Sequence, residues 1–147
     1  MTIALASDHA GFQLKKTLKI YLQDKGYNVD DFGTSNEAPV DYPDYIFPAA
    51  ESVAKGVHDC GIVLGGSGNG EAITANKIRG IRCAVCWSEE SARLAKEHNN
   101  ANIISMGARL VSEDLAIRIV DTWLNAAFQG DRHVTRIEKL DQLGQPV

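Results

Sequence analysis

Short apolar runs alternate with amphipathic segments from one end of the chain to the other. The run CGIVLG at residues 60–65 has no polar alternation, which is typical of a strand covered on both faces, as in a parallel sheet. Strand patterns that alternate with helix patterns indicate βαβ units. The predicted strands are 2–6, 27–32, 60–65, 82–87 and 102–107. The predicted helices are 11–25, 44–55, 70–77, 89–98, 112–127 and 131–143.

This order of elements predicts an α/β fold, a three-layer αβα sandwich built on a doubly wound, Rossmann-like parallel sheet of five strands. Right-handed crossovers leave few arrangements, and we expect the strand order 2-1-3-4-5. In that order the winding reverses between strands one and three. Ligands bind in the crevice at such a reversal, outside the carboxyl ends of the strands. The loops expected there are SDHAG, residues 7–11, and GGSGNGE, residues 65–71.

The composition limits the classes of function. The formal net charge of −4 provides no basic field for nucleic acid or an anionic membrane. No apolar run approaches the roughly 18 residues of a membrane span, and the N-terminal MTIALASDHAG lacks the apolar core of a signal peptide. We therefore expect a single cytoplasmic domain over residues 1–147 that binds any anion through a local cluster.

The three cysteines predict neither a disulfide nor a metal site. Cys83 and Cys86 form a C-x-x-C pattern, but on the predicted strand RCAVCW side chains three apart point to opposite faces of the sheet. Cys60 cannot complete a zinc site by itself. We interpret all three as small buried apolar residues and expect no metal.

The glycine-rich loop GGSGNGE does not match the known nucleotide-binding patterns. It lacks the GxxxxGK[ST] of a Walker loop, and its glycines follow the third strand with a spacing of two, unlike a dinucleotide-binding GxGxxG. Glycines allow successive N–H groups to point inward, and the next helix adds its own unpaired N–H groups. We expect this loop, with the hydroxyl of Ser67, to stabilise negative charge.

Glu71 follows the loop in the first helical turn, and two interpretations are open. It can be a stabilising acid at a helix N-terminus. It can also be a base that removes a proton next to a carbonyl while the loop holds the resulting enediolate. A helix dipole lowers the pKa of such a carboxylate and burial raises it, and the sequence does not decide between the two effects.

Other polar residues each have a functional and a structural interpretation. Asp8 and His9 end the first strand, where they can contact sugar hydroxyls, or Asp8 can cap the next helix. His98 closes a helix, as a proton shuttle or as a partner of the helix dipole. Asn99 can bind hydroxyls or end that helix.

Arginines near the C-terminus suggest a phosphate site. Arg132 and Arg136 are four residues apart on one helical face, which suits a phosphate or a solvated basic patch, and Arg109 can add a third charge. No strand follows the last helix, 131–143. We therefore expect that helix to pack on a partner subunit and reach into its crevice.

Several longer stretches together resemble the ribose-5-phosphate isomerase B family, which also includes galactose-6-phosphate isomerase subunits and allose-6-phosphate isomerase. The similarity covers nearly the whole chain and lies in SDHAGFQLK (7–15), VDYPDY (40–45), GIVLGGSGNGEAITANKIRGIRCAVCW (61–87), ARLAKEHNNANIISMGAR (92–109) and DRHVTR (131–136). The resemblance implies aldose–ketose isomerisation through an enediolate, without metal or cofactor, in a homodimer or a dimer of dimers with shared active sites. One branch of the family uses a cysteine base where this chain has Gly65, and the other has GSGNGE with a glutamate base.

The resemblance also implies roles for individual residues. Three side chains would carry the chemistry: Glu71 as the base, His98 to open the furanose ring, and Ser67 in the anion hole. Backbone N–H groups would complete the anion hole: those of Gly66, Gly68, Asn69 and Gly70. Hydroxyl groups and the rest of the sugar would meet four polar side chains: Asp8, His9, Tyr42 and Asn99. The phosphate would be held, largely from the partner subunit, by four cationic side chains: Arg109, Arg132, His133 and Arg136.

The expected reaction is the interconversion of ribose 5-phosphate and ribulose 5-phosphate. Two alternatives stay open. One is the isomerisation of another sugar phosphate, such as a tetrulose 4-phosphate, allose 6-phosphate or galactose 6-phosphate. The other is a non-catalytic protein that binds a sugar phosphate. The spacing of the glycines disfavours a flavodoxin-like nucleotide-binding module.

Overall fold

The computed structural model describes all 147 residues, which form five strands and six helices. The strands are β1 (Thr2–Ser7), β2 (Asn28–Asp31), β3 (Cys60–Gly65), β4 (Cys83–Val85) and β5 (Ile103–Gly107). The helices are α1 (Phe12–Asp24), α2 (Pro43–Ala54), α3 (Asn69–Ala75), α4 (Glu89–Asn99), α5 (Glu113–Asn125) and α6 (Arg132–Asp141). Every predicted element is present, and none of the helices is long and apolar enough to cross a membrane.

All five strands are parallel and lie in the order β2-β1-β3-β5-β4. The expected order 2-1-3-4-5 is therefore wrong in its last two positions. β5 lies beside β3 because all five of its residues are buried, whereas the three residues of β4 are only half-buried and suit an edge. The winding still reverses between β1 and β3, as the sequence predicted.

Helices cover both faces of the sheet and produce the predicted three layers. α1, α4 and α5 bury one face through a cluster of 19 residues that includes Ile104 and Trp123. α2 and the end of α3 cover the other face through 11 residues that include Ile46. The indole N–H of Trp123 donates to the carbonyl oxygen of Ala101 at 3.1 Å, so this large core side chain is also oriented by a hydrogen bond.

The cysteines are free and unreactive in this arrangement. Cys86 lies in the first core cluster and Cys83 packs against the second, so the two side chains point to opposite faces as predicted. Burial raises the pKa of Cys60 and of Cys86 to about 12, and raises that of Cys83 as well. Since the thiolate is the reactive form, none of the three is a nucleophile at neutral pH.

The starts of α4 and α6 are capped differently. Ser88 and Ser91 form a complete capping box, because each side-chain oxygen accepts from the other residue's N–H, at 3.0 and 3.1 Å. Ser91 stands at the position where glutamate is usual in this motif. Asp131 directly precedes α6, but its side chain makes no capping bond. Its backbone φ of 48° lies outside the extended region that N-cap residues adopt.

A buried ion pair anchors the segment that follows β2. Lys15 of α1 is 1% exposed, and its Nζ lies 2.6 Å from Asp31 Oδ1 and 2.5 Å from the carbonyl oxygen of Thr34. Lys19 contacts the other oxygen of Asp31 at 3.3 Å. Burial by itself raises the pKa of Asp31, but hydrogen bonds from Lys15 and a backbone N–H lower it overall. The anchored segment leads to residues 40–42, which border the crevice.

Lys15→Met is expected to lower the free energy of unfolding at pH 7 by about 2 kcal/mol. The substitution removes the buried ion pair with Asp31 and leaves the carbonyl oxygen of Thr34 without a hydrogen bond. Lys19→Met removes the exposed partner of the same carboxylate and should cost less than about 1 kcal/mol. Urea unfolding measures both losses.

The pKa of Asp31 is lower in the folded chain than in the unfolded one. The ion pair therefore contributes stability above the unfolded pKa of about 4, and the contribution is lost as pH falls through the folded value. The difference between the two variants should shrink as the pH approaches about 3. Equal losses for both variants at pH 7 would contradict the anchoring role of Lys15.

Candidate active site

The loop between β3 and α3 is clamped to β5 and the turn after it. The carbonyl oxygen of Gly66 accepts from the N–H of Arg109 at 3.1 Å. The carbonyl oxygen of Gly68 accepts from the buried hydroxyl of Ser105 at 2.7 Å. Gly68 has a φ of 82°, a left-handed conformation that favours glycine, and α3 begins directly after it. The loop is therefore rigidly held through its carbonyl groups.

The N–H groups of the same loop remain available for a ligand. The N–H of Asn69 donates to Ser67 Oγ at 3.3 Å. Four N–H groups of the loop make no hydrogen bond within the chain: those of Gly66, Ser67, Gly68 and Gly70. Such unpaired backbone donors, together with the exposed Ser67 hydroxyl, are what an oxyanion requires.

The Glu71 side chain is folded under this loop and is only 3% exposed. A Cβ atom at Gly65 would lie 1.9 Å from Glu71 Oε1, so the carboxylate occupies the space that any side chain at position 65 would need. Glycine at position 65 and glutamate at position 71 therefore depend on each other. A cysteine base at position 65 cannot coexist with this placement of the glutamate.

Burial decides the question about the pKa of Glu71 that the sequence left open. Burial raises it, the residue's own backbone N–H opposes the rise, and the charge of Asp8 adds to it. No lysine or arginine forms an ion pair with this carboxylate. A carboxylate that only complemented a helix dipole would have the opposite shift. Glu71 is therefore a stronger base than an exposed glutamate.

The end of β1 lies beside the loop, as the topology predicted. The N–H of Asp8 donates to the carbonyl oxygen of Leu64 at 3.2 Å, across the reversal of the winding. Asp8 is buried, and its Oδ1 accepts from the N–H of Gly11 at 3.0 Å, just ahead of α1. Its Oδ2 makes no hydrogen bond within the chain, so Asp8 both ties the turn and presents an acceptor.

Tyr42 and Arg109 border the loop, and His9 lies next to Asp8 in the turn after β1. His9 Nδ1 accepts from the N–H of Val40 at 3.2 Å, so the neutral imidazole carries its proton on Nε2 and can donate it to a ligand. The ring of Tyr42 lies over Gly70, where a Cβ atom would be 2.5 Å from Tyr42 Cζ. A Cβ atom at Gly66 would be 2.9 Å from Arg109 Nη1. Glycine at these two loop positions thus makes room for the tyrosine and the guanidinium.

The remaining candidates lie at the opposite end of the sheet, where the strands begin: His98, Asn99, Arg132, His133 and Arg136. α4 starts after the end of β4 and finishes before the start of β5, so its last residues lie where the strands begin. Arg82, directly ahead of β4, donates from Nε to the carbonyl oxygen of Asn99 at 3.0 Å. The ring of His133 in α6 stacks on that of His98, which brings α6 to the same end.

The sheet separates the two groups of residues. The six residues of β3 are separated by five steps of about 3.3 Å, so the two ends of this strand lie about 17 Å apart. His98 therefore cannot reach a sugar bound beside Glu71 of the same chain. From the sequence, we expected the C-terminal arginines to reach the site from a partner subunit. The sequence gave no sign that His98 and Asn99 lie beside those arginines.

Three groups that hold the site in place were not predicted from the sequence. The Ser105 hydroxyl holds the loop carbonyl of Gly68, and the only hydroxyl in the apolar run IISMG could have marked it. Lys15 and the Val40 N–H left no signal, because their partners are remote in sequence. Nowhere in the structure do three His, Cys, Asp or Glu side chains group closely enough to share a metal ion.

Comparison with known proteins agrees with the motifs. A family model described as ribose/galactose isomerase matches residues 3–140. The chain is 50% identical to ribose-5-phosphate isomerase B of Clostridium thermocellum, with a TM-score of 0.95 over 97% of this chain and 96% of that one. It is 41% identical to ribose-5-phosphate isomerase B of Mycoplasma genitalium, solved with bound ribulose 5-phosphate, with a TM-score of 0.92 over 96% and 94% of the two chains.

A relative that is named for a different substrate is nearly as similar to this chain. The D-erythrulose-4-phosphate isomerase of Pectobacterium atrosepticum is 40% identical over 95% of this chain and 93% of its own length. The match of the family model, the full-length identities and the shared fold lead to one conclusion. This chain belongs to the ribose/galactose isomerase family, in its ribose-5-phosphate isomerase B group.

Proposed function

We propose that this chain interconverts ribose 5-phosphate and ribulose 5-phosphate by moving a proton between C2 and C1. The observation that carries the proposal is the buried Glu71 carboxylate, which has no ion-pair partner and lies directly beneath a loop of free N–H groups. The bound ribulose 5-phosphate in the Mycoplasma genitalium relative supports a phosphorylated pentose as ligand. Since such sugars are intracellular metabolites, we expect the enzyme to work in the cytoplasm.

The geometry suits an enediolate mechanism. In the open-chain aldose, Glu71 removes the proton on C2, and the electron pair forms a C1–C2 double bond while the C1 carbonyl oxygen becomes anionic. The free N–H groups of the loop and Ser67 stabilise that oxygen. Glu71 then returns its proton to C1, the O2 hydroxyl proton moves to O1, and a ketone remains at C2. The raised pKa of Glu71 brings it closer to that of a useful base at neutral pH.

The complete site requires two copies of the chain. Asp8, His9, Tyr42 and Arg109 surround the loop, and His98, Asn99 and the two α6 arginines of a second copy would supply the ring-opening and phosphate-binding groups. The distance of about 17 Å between the two ends of the strands in one sheet supports this division. α6 buries only His133 within its own chain, which leaves most of the helix free for a partner.

An apolar surface beside the loop supports the same assembly. β4 forms an unpaired sheet edge, and large apolar side chains near it are exposed: Ile73, Trp87 and Leu110. A cavity of about 270 Å³ beside Ser67 is walled by Trp87 and Leu110. A second copy that covers this surface would bring its own residues next to the catalytic loop.

A tetrulose 4-phosphate is the second candidate substrate, favoured by the similarity to the Pectobacterium enzyme. The same carboxylate and N–H groups would serve either sugar, and only the distance from Glu71 to the phosphate-binding arginines would differ. Comparison of kcat/KM over four- to six-carbon sugar phosphates distinguishes the candidates.

Glu71→Gln is expected to lower the exchange of the C2 proton of ribose 5-phosphate with D2O by about a hundredfold to ten-thousandfold, because the amide cannot accept the proton. NMR measures the exchange, and calorimetry should still detect substrate binding. Glu51→Gln, at an acid on the surface of α2, serves as the control and should exchange normally. Normal exchange in the Glu71 variant would remove Glu71 as the base.

Gly65→Ala is expected to lower kcat by at least about a hundredfold, because the new methyl group displaces the Glu71 carboxylate. Gly61→Ala is the matched control on the same strand, where a Cβ atom would meet only side chains and a carbonyl oxygen at 3.2 to 3.5 Å. That variant should lose some stability and keep its kcat. Equal kcat values for both variants would argue against the steric dependence of Glu71 on Gly65.

Heterodimers test the shared site. A purified dimer of one Glu71→Gln chain and one Arg136→Ala chain should retain about half of the wild-type activity, since one of its two sites combines intact residues from both chains. A dimer of one wild-type chain and one chain with both substitutions should be inactive. The reverse result, with activity only in the second dimer, would place both residues of each site on one chain.

A further inference from the structure

The imidazole rings of His98 and His133 form a stacked pair at the sheet edge where the strands begin. Their ring centroids are 4.6 Å apart and their planes differ by 15°. His98 belongs to the last turn of α4, and His133 is the second residue of α6. The linker before α6 is also tied to α4, because the Gln129 N–H donates to the carbonyl oxygen of Glu97 at 3.0 Å. The end of one helix and the start of the other thus form one unit.

His133 differs sharply from the two arginines beside it in the sequence. Arg132 and Arg136 are exposed, whereas His133 is 6% exposed. Its Nε2 is buried and makes no hydrogen bond in the chain. The buried Nε2 is therefore withheld from a phosphate bound at the surface that carries the arginines. Only the flat face of the ring makes a specific contact, and that contact is with His98.

The surroundings keep His133 neutral. Burial lowers its pKa, and the charges of Arg132, His98 and Arg136 lower it further, against the opposing effect of Asp131. A neutral ring can lie parallel to His98 whether or not His98 carries a proton. Two protonated rings at this distance would repel each other.

We infer that His133 is a positioning residue: its flat ring is the platform that holds the imidazole of His98 in the orientation needed for proton transfer to the sugar. The inference rests on the proposed function. It assigns to His133 a role other than the phosphate contact that the family resemblance suggested.

The platform should matter for one step only. Ribose 5-phosphate binds as a furanose, and its ring opens when the C1–O4 bond breaks, O4 gains a proton and the O1 hydroxyl loses one. His98 of the second copy is the group proposed to move these protons. Ribulose 5-phosphate has its O5 blocked by phosphate, so it cannot form a five-membered ring and needs no opening. Exchange of its C1 proton with D2O depends on Glu71 but not on His98.

Two variants of similar volume separate a flat platform from simple packing. His133→Phe keeps a flat neutral ring and has no buried polar atom, so it should fold at least as well as the wild type. His133→Leu fills the space without a flat face. For ribose 5-phosphate, we expect kcat to fall about tenfold or more in the Leu variant and to stay within about threefold of the wild type in the Phe variant. Exchange at C1 of ribulose 5-phosphate should stay within about twofold in both.

Three outcomes would overturn the inference. Equal loss of kcat in the Phe and Leu variants would mean that the polar atoms of His133 are needed. Wild-type kcat in both would mean that it only fills space. Parallel loss of C1 exchange in the Leu variant would indicate a general effect on binding.

A measurement without substrate separates this inference from the proposed function. The ring protons of His98, followed by NMR in uniformly labelled protein, should show an upfield ring-current shift in the wild type and in the Phe variant. That shift should be lost in the Leu variant, and identical spectra for all three would remove the stacked platform. If the wild type failed to convert ribose 5-phosphate but the shift behaved as described, the proposed function would fail and the arrangement of the rings would stand.

Discussion

An unpaired carboxylate buried beneath backbone N–H groups is the constraint on which the rest of this structure depends. Moving a charged group out of water is costly unless the surroundings replace its hydration, and here the cost appears as the raised pKa of Glu71. The local architecture maintains that placement. Gly65 leaves space for the carboxylate, Ser105 and Arg109 hold the loop by its carbonyl groups, and most of the loop N–H groups have no partner in the chain. A weakly held loop would let Glu71 turn toward solvent and lose its basicity.

The sheet sets the second constraint, because it places the two sets of candidate residues at opposite ends of its strands. Within one chain, the strand length keeps the base and the proposed ring-opening histidine apart. The proposed association of two copies would overcome that separation without any change in the fold. Exposed apolar side chains near β4 and the largely unburied α6 favour that proposed association. In this view the His98–His133 stack prepares one half of a site whose other half belongs to the neighbour.

The fold was predictable where local patterns decide the outcome. The apolar run of β3 indicated a covered parallel strand, and the types of all eleven elements followed from periodicity. The exchange of β4 and β5 was not predictable, because a right-handed crossover can skip one position in a sheet at no local cost. The complete capping box at Ser88 and the missing cap at Asp131 depend on the backbone conformation, which residue type alone does not specify.

By itself, the sequence determined the class of fold, the two loops that meet at the reversal of the winding, and the family, because these depend on local pattern and motif. It could not determine the protonation behaviour of Glu71, the mutual dependence of Gly65 and Glu71, or the edge on which His98 lies. Those properties follow from burial and from distances between residues far apart in the chain, and both exist only after the sheet has formed. Tertiary structure therefore decided that the candidate residues form two separate groups, since it alone puts about 17 Å of β-sheet between them.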